Sequence, residues 1–306
     1  MYYIGIDLGT SAVKLLLMDE TGRIANIVDR EYPLAFPHPG WSEQNPSDWW
    51  SAVCDGIPAL LDGFDAAQVR GIGAGGQMHG LVVLDKDDNV IRPCILWNDG
   101  RTQKQVDYLN DTIGTELLSR CTANIAFAGF TAPKLLWLRA NEPENFARIA
   151  KIMLPKDYIN YKLTGVHCTD YSDASGMLLL DVQHKCWSRE MLDICGVTEA
   201  QLPRLFESWQ PVGTMTAEAA RLLGLPAGFA AAVAMVAVFC GATNTLVPSL
   251  LLAYELFGGA GLELIALGCG LSYMLSGYHG LYSSQTFLSD KFHSEYTARW
   301  EARLHH

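Results

Sequence analysis

Asp7, Gly9, Thr10, Ser11 and Lys14 crowd together near the start of the chain, in the stretch IGIDLGTSAVK. Successive backbone N–H groups in a tight turn form a nest for an anion. A carboxylate beside such a nest suits a hydrated divalent cation. Asp7 is therefore a candidate metal ligand, and Gly9, Thr10, Ser11 and Lys14 are candidates for holding phosphate. An ordinary surface turn fits the same residues. The stretch is not a dinucleotide fingerprint, which needs three glycines and a following helix, nor a Walker loop, which needs Gly-Lys-Ser/Thr before one.

Two further groups could bind a small ligand, the second of them a sugar. GGQMHGLVVLD, from Gly75 to Asp85, brings Gln77, Met78 and His79 between flanking glycines that free the backbone to expose them. ILWNDGR, from Ile95 to Arg101, gathers Trp97, Asn98, Asp99 and Arg101. An aromatic face suits sugar C–H surfaces, and amides or carboxylates suit hydroxyls. Their structural alternatives are a satisfied turn histidine and an Asx turn. The three tryptophans of GWSEQNPSDWW (Gly40 to Trp50) read as core. TDYSDASGMLLLD (Thr169 to Asp181) reads by itself as a loop entering a strand.

The elements that must position these groups follow from pattern. Tyr3 to Ile6, Ala12 to Met18 and Arg23 to Val28 read as three strands, the first two joined by the Gly9–Ser11 turn and the next two by Asp19-Glu20-Thr21-Gly22. Asn45-Pro46-Ser47-Asp48 starts a helix that Pro58 should kink or end. Val69 to Ala74, Leu81 to Leu84 and Cys94 to Trp97 read as strands. Further on, Thr131 should cap a helix beginning at Ala132. Asp157 to Leu163 is helical and stops at Gly165. Ser188 caps a helix ending near Gly196, and Thr216 caps Ala217 to Leu223. The order is that of an α/β or mixed-sheet protein.

The 306 residues suffice for one large domain or two, with 49% apolar residues for the core. A net charge of −11 argues against nucleic acid or an anionic membrane as the main partner. Eight scattered cysteines, with no CxxC pair and no histidine cluster, suggest reduced thiols in a cytoplasmic protein. From Leu222 to Ser289 only Glu255 and Glu263 are charged. For Ala227 to Ala242, a buried strand crossing between two domains is a better explanation than a membrane span, since the run is short, Ala- and Gly-rich and lacks aromatic and basic anchors.

Taken together, IGIDLGTSAVK, PGWSEQNPSDWW, GGQMHG, ILWNDGR, GFTAPKLLWL, LPKDY, LTG and DASGMLLLD resemble the FGGY family of carbohydrate kinases, in family order, from Tyr3 to about Gly228. QMHG resembles the branch acting on D-xylulose rather than the glycerol branch. The resemblance implies an α/β, actin-like ATPase fold of the ribonuclease H type, with residues 1–228 as the sugar-binding domain. Residues 229–306 would begin, incompletely, a second nucleotide-binding domain of the same type. It implies ATP-dependent phosphorylation of D-xylulose at O5 with Mg²⁺, and is compatible with a homodimer. Asp7 would serve catalysis and metal, Gly9, Thr10, Ser11 and Lys14 the nucleotide. Gln77, Met78, His79, Trp97, Asn98, Asp99 and Asn244 would serve the sugar.

One departure stands out. Where the family has Gly-Gly-Asp-Asn, whose aspartate takes the proton from the sugar hydroxyl, this chain has Gly241-Ala242-Thr243-Asn244. Thr243 stands in place of the base. Ala266-Leu267-Gly268-Cys269-Gly270 only loosely echoes the second phosphate loop. Because the match ends abruptly, a reading-frame shift or an uncertain sequence accounts for residues 229–306 better than gradual drift. The expected chain is thus a truncated, poorly active pentulose kinase. The alternatives are a sugar-binding pseudokinase and an interaction module of the same fold.

Overall fold

The first strand, β1 (Tyr2–Leu8), runs antiparallel to β2 (Ala12–Asp19), which pairs antiparallel with β3 (Ile24–Glu31). In this computed structural model the described residues are 1–225 and the backbone of 232–234. They fall within one unit, Met1–Met235. Strand β2 buries both faces through Val13, Leu15, Leu16, Leu17 and Met18, whereas β3 alternates half-buried and exposed residues, as an edge strand should.

After β3 the two-residue β4 (Glu43–Gln44) leads into α1 (Pro46–Leu60). The Asn45 side chain accepts the Ser47 N–H at 3.2 Å, Pro46 occupies the first turn, and Trp49, Val53, Ile57 and Leu60 turn inward. Pro58 does not end this helix; it stands on the exposed face, and the helix runs on to Leu60. Then β5 (Val69–Gly76) returns parallel to β1, with Ile4 opposite Ile72, Asp7 opposite Gly75 and Leu8 opposite Gly76. The last strand among the described residues, Ala232–Ala234, runs parallel to β5 and gives a five-stranded sheet in which β1 is central. It falls inside the apolar run for which a strand was expected. Three antiparallel strands followed by parallel additions are the ribonuclease H-like arrangement.

The remainder builds out from the sheet's end. Short strands β6 (Val82–Leu84) and β7 (Cys94–Ile95) precede α2 (Gln103–Asp107), a π-turn at Tyr108–Gly114 and α3 (Thr115–Thr122). Helices α4 (Thr131–Asn141) and α5 (Pro143–Ala147) lead to β8 (Lys151–Met153), which pairs with β6. Helix α6 (Pro155–Thr164) ends at Gly165 in the left-handed region. Strand β9 (Cys168–Asp170), α7 (Tyr171–Ser175), the hairpin β10 (Leu180–Asp181) and β11 (Cys186–Trp187), α8 (Arg189–Cys195), β12 (Arg204–Phe206) and α9 (Ala217–Leu222) complete the described chain. Ser188 and Thr216 cap α8 and α9 as expected. Thr131 does not cap α4. It is the first helical residue, and its hydroxyl donates to the His79 carbonyl at 3.1 Å.

Two apolar clusters result. One joins the sheet to α1, α6 and α9; the other joins β6 and β8 to α3, α4 and α8. No helix among the described residues is long and apolar enough to cross a membrane. The six described cysteines form no disulfide.

Candidate active site

The turn between β1 and β2 is held from beneath. Its Gly9 N–H donates to the carbonyls of Asp7 (3.2 Å) and Ala12 (3.1 Å). The Tyr32 hydroxyl donates to the Gly9 carbonyl at 2.5 Å, and the Gln44 amide to the Thr10 carbonyl at 2.6 Å. With these carbonyls drawn inward, the tip is braced as a pre-formed turn. Asp7 faces Lys14 across the hairpin. The protein crowding Asp7 raises its pKa, and Lys14 pulls the other way.

The Gln77–His79 corner is wired to that tip. The Gln77 N–H donates to the Leu8 carbonyl at 2.7 Å, continuing the β1–β5 ladder. The Gln77 side-chain amide donates to Gln44 Oε1 at 3.0 Å and approaches the Gly9 carbonyl at 3.4 Å. The Trp49 indole donates to the same Gln44 oxygen at 3.1 Å. His79 has φ 63°, in the left-handed region that a bulky residue enters only when held there. Its ring lies directly over Gly176, where an added Cβ would come within 2.2 Å of Cε1, and 4.8 Å from the Phe130 ring centroid. Burial pushes the His79 pKa down to about 4, and Lys134 adds to the effect. At neutral pH the ring is uncharged, able to donate through one nitrogen and accept through the other.

Trp97 closes the third side. Its half-exposed ring donates N–H to the Thr10 hydroxyl at 3.1 Å, and Asn98 beside it is exposed. Asp99 departs from expectation. It is 2% exposed, and both oxygens are engaged: one accepts from the Arg101 N–H and Nε (both 2.9 Å), the other from Arg101 Nη2 (2.7 Å) and the Ser42 N–H (2.6 Å). Arg101 also reaches Glu43 at 2.7 Å and lies 3.7 Å over the Trp41 ring. Asp99 therefore anchors the Trp97–Asn98 turn from below, with both oxygens taken by protein donors.

Sequence reasoning also missed Phe127, Phe130, Gly176 and the buried cations. The loop carrying Phe127 and Phe130 abuts Trp97, with Gly129 so close that a Cβ would lie 2.8 Å from the Trp97 carbonyl oxygen. Lys156 is buried among Asp157 (2.7 Å), Asp170 (2.9 Å) and Asp173 (3.0 Å). Burial and the neighbouring carboxylates push Asp173 up to about 6, against the pull of Lys156. Burial also works upward on Asp170, but Lys156, the Ser208 hydroxyl and a helix N–H outweigh it and hold its pKa low. The only sequence signal for this cluster was the density of aspartates in LPKDY and TDYSD.

Among the described residues no group of three or more His, Cys, Asp or Glu side chains converges as a metal site. Asp7 is a single carboxylate beside the hairpin tip, whose Gly9 N–H is already bonded within the turn. That donor set fits a mostly hydrated Mg²⁺ carried on nucleotide phosphates, and not a metal caged by protein. Thr243 and Asn244 lie outside the described residues.

The ribonuclease H-like sheet is that of the actin-like fold. The chain belongs to the FGGY family of carbohydrate kinases, whose N-terminal domain matches residues 2–242. It is 42% identical to the xylulose kinase of Escherichia coli (strain K12) over 223 residues, which is 73% of this chain and 46% of that protein. The xylulose kinase of Lactococcus lactis subsp. lactis (strain IL1403) is 47% identical over 222 residues, 72% of this chain and 44% of that one. The crystal structure of a xyloylose kinase from Brucella ovis superposes with a TM-score of 0.75 at 41% identity, covering 81% of this chain and 52% of that chain. A gluconate kinase from Lactobacillus acidophilus superposes with a TM-score of 0.74 at 28% identity, covering 79% and 49%. The chain thus spans less than half the length of these curated relatives.

Proposed function

We propose that residues 1–228 are the sugar-binding domain of a pentulose kinase that transfers phosphate from ATP to O5 of D-xylulose, and that 229–306 stand where its nucleotide-binding domain begins. The observation that carries this reading is the bonding of the Gly9–Ser11 tip to the Gln77–His79 corner through Gln44, Gln77 and Trp97. It supports the reading by setting the tip proposed for phosphate beside the corner proposed for the sugar, at one end of one sheet. Phosphoryl transfer is mainly positioning and charge neutralisation, which such a cleft supplies.

In this reading the neutral His79 ring and the Met78 segment hold sugar hydroxyls, the Trp97 and Phe130 faces cover its C–H surface, and Lys14 with the tip N–H groups meets phosphate. Mg²⁺ beside Asp7 would offset the charge of the transferring phosphoryl group. The protein is cytoplasmic in this account, and pairing as a homodimer is compatible with it. Thr243 lacks a titratable group near neutral pH, so turnover of this 306-residue chain falls by about 10²–10⁴ for want of a base.

Two experiments test the reading. Calorimetry with D-xylulose and related pentuloses should give saturable heat from the 306-residue chain; no heat with any sugar contradicts it. Coupled ADP release with D-xylulose should be weak, and Thr243→Asp in the longer context of a relative-length chain should raise it. Near-normal turnover without that change contradicts the assignment of the missing base.

A further inference from the structure

Lys134 is 0% exposed, yet no carboxylate pairs with it in an ion pair under 4 Å among the described residues. Its ammonium instead donates to three backbone carbonyls: His79 at 3.1 Å, Phe130 at 3.2 Å, and Gly129 at closer range. The first belongs to a residue in the left-handed region. The other two belong to the turn that places Phe130 against the His79 ring and Gly129 against Trp97. Thr131, three residues earlier on the same helix, adds its hydroxyl to the same His79 carbonyl. A buried cation without a carboxylate partner is costly unless its donors are satisfied. Here the three donors of one ammonium match three carbonyls.

We infer that Lys134 is a positioning residue for sugar recognition: its ammonium ties the His79 peptide to the Gly129–Phe130 turn and so fixes the ring of His79 over Gly176. This rests on the proposed sugar site, but the clamp itself can be tested apart from it. Burial pushes the Lys134 pKa down to about 7, while Cys94 and Asp99 raise it and Arg101 lowers it. The three carbonyls favour the charged form.

The test uses the 306-residue chain and its Lys134→Met variant, which keeps the apolar stem and removes the donors. Two readouts are taken: the pH titration of the His79 ring by NMR, and D-xylulose affinity by calorimetry. The expected result is a His79 pKa moved upward and D-xylulose binding weakened about tenfold, as for lost charged hydrogen bonds. An unchanged His79 titration overturns the clamp whether or not sugar binds. If the parent chain shows no heat with D-xylulose, the proposed function fails while the His79 titration still decides the clamp. Should Lys134→Met not fold, the parent chain carries the test. An assigned Lys134 ammonium signal protected from solvent exchange is expected, and a rapidly exchanging one overturns the inference.

Discussion

Trp97 donates its indole N–H to the Thr10 hydroxyl at 3.1 Å, across 87 residues of chain. This bond joins the loop after β7 to the tip of the first hairpin. Trp97→Phe keeps a ring and removes the donor. Because Trp97 is 45% exposed, the melting temperature should hardly move. The loss of one hydrogen bond, about 0.5–1.5 kcal/mol, should appear as faster exchange at Thr10 and up to about tenfold weaker D-xylulose binding.

The closeness of β1 and β5 predicts opposite outcomes at adjacent glycines. A Cβ at Gly76 would lie 2.6 Å from Leu8 Cβ and 2.8 Å from its carbonyl oxygen, whereas one at Gly75 meets nothing within 4 Å. Gly76→Ala should cost about 1–3 kcal/mol in urea unfolding. Gly75→Ala should stay within about 0.5 kcal/mol. Equal costs at the two positions would contradict the described pairing.

Arg101 holds two buried acids. Arg101→Met would leave Asp99 and Glu43 without its guanidinium and expose the edge of the Trp41 stack. Removing one partner of a buried ion pair costs about 3–5 kcal/mol, and the urea midpoint should fall accordingly. Little change would mean that Asp99 has another partner and could face the cleft after all.

Two buried groups give opposed pH dependences. Asp173 has a folded pKa raised to about 6 from a carboxylate's usual 3.8, so its contribution to stability is present at low pH and is lost as pH rises between those values. His79 has a folded pKa lowered to about 4 from 6.5, so stability is lost as pH falls through that window. In the parent chain the two largely offset each other near pH 5. Relative to it, Asp173→Asn should become less stable as pH drops from 6.5 to 4, and His79→Gln more stable. Parallel profiles for both variants would refute this pairing of causes.

Much of this arrangement was legible locally. The alternation of β3, the caps of α1, α8 and α9, and the turn at Gly9–Ser11 follow from neighbours a few residues apart. The misplaced features are those decided at long range. Asp99 carries the mark of a sugar ligand, and only Arg101 and Ser42 packed against it show that its oxygens are occupied. Thr131 has the chemistry of a cap, but its hydroxyl finds the His79 carbonyl 52 residues away. Pro58 weakens a helix locally, yet the burial of Ile57 and Leu60 carries α1 past it. Lys134 reads in sequence as one more helical residue, because the three carbonyls it meets converge only in the fold.

If the Gly9–Ser11 tip and the Gln77–His79 corner form one ligand cleft, D-xylulose titrated into the ¹⁵N-labelled 306-residue chain gives saturable shifts at Met78, His79 and the Trp97 indole, with a smaller response at Gly9 and Thr10 and no comparable change on α8 or α9. Shifts confined to another face, or none at saturating sugar, would contradict it.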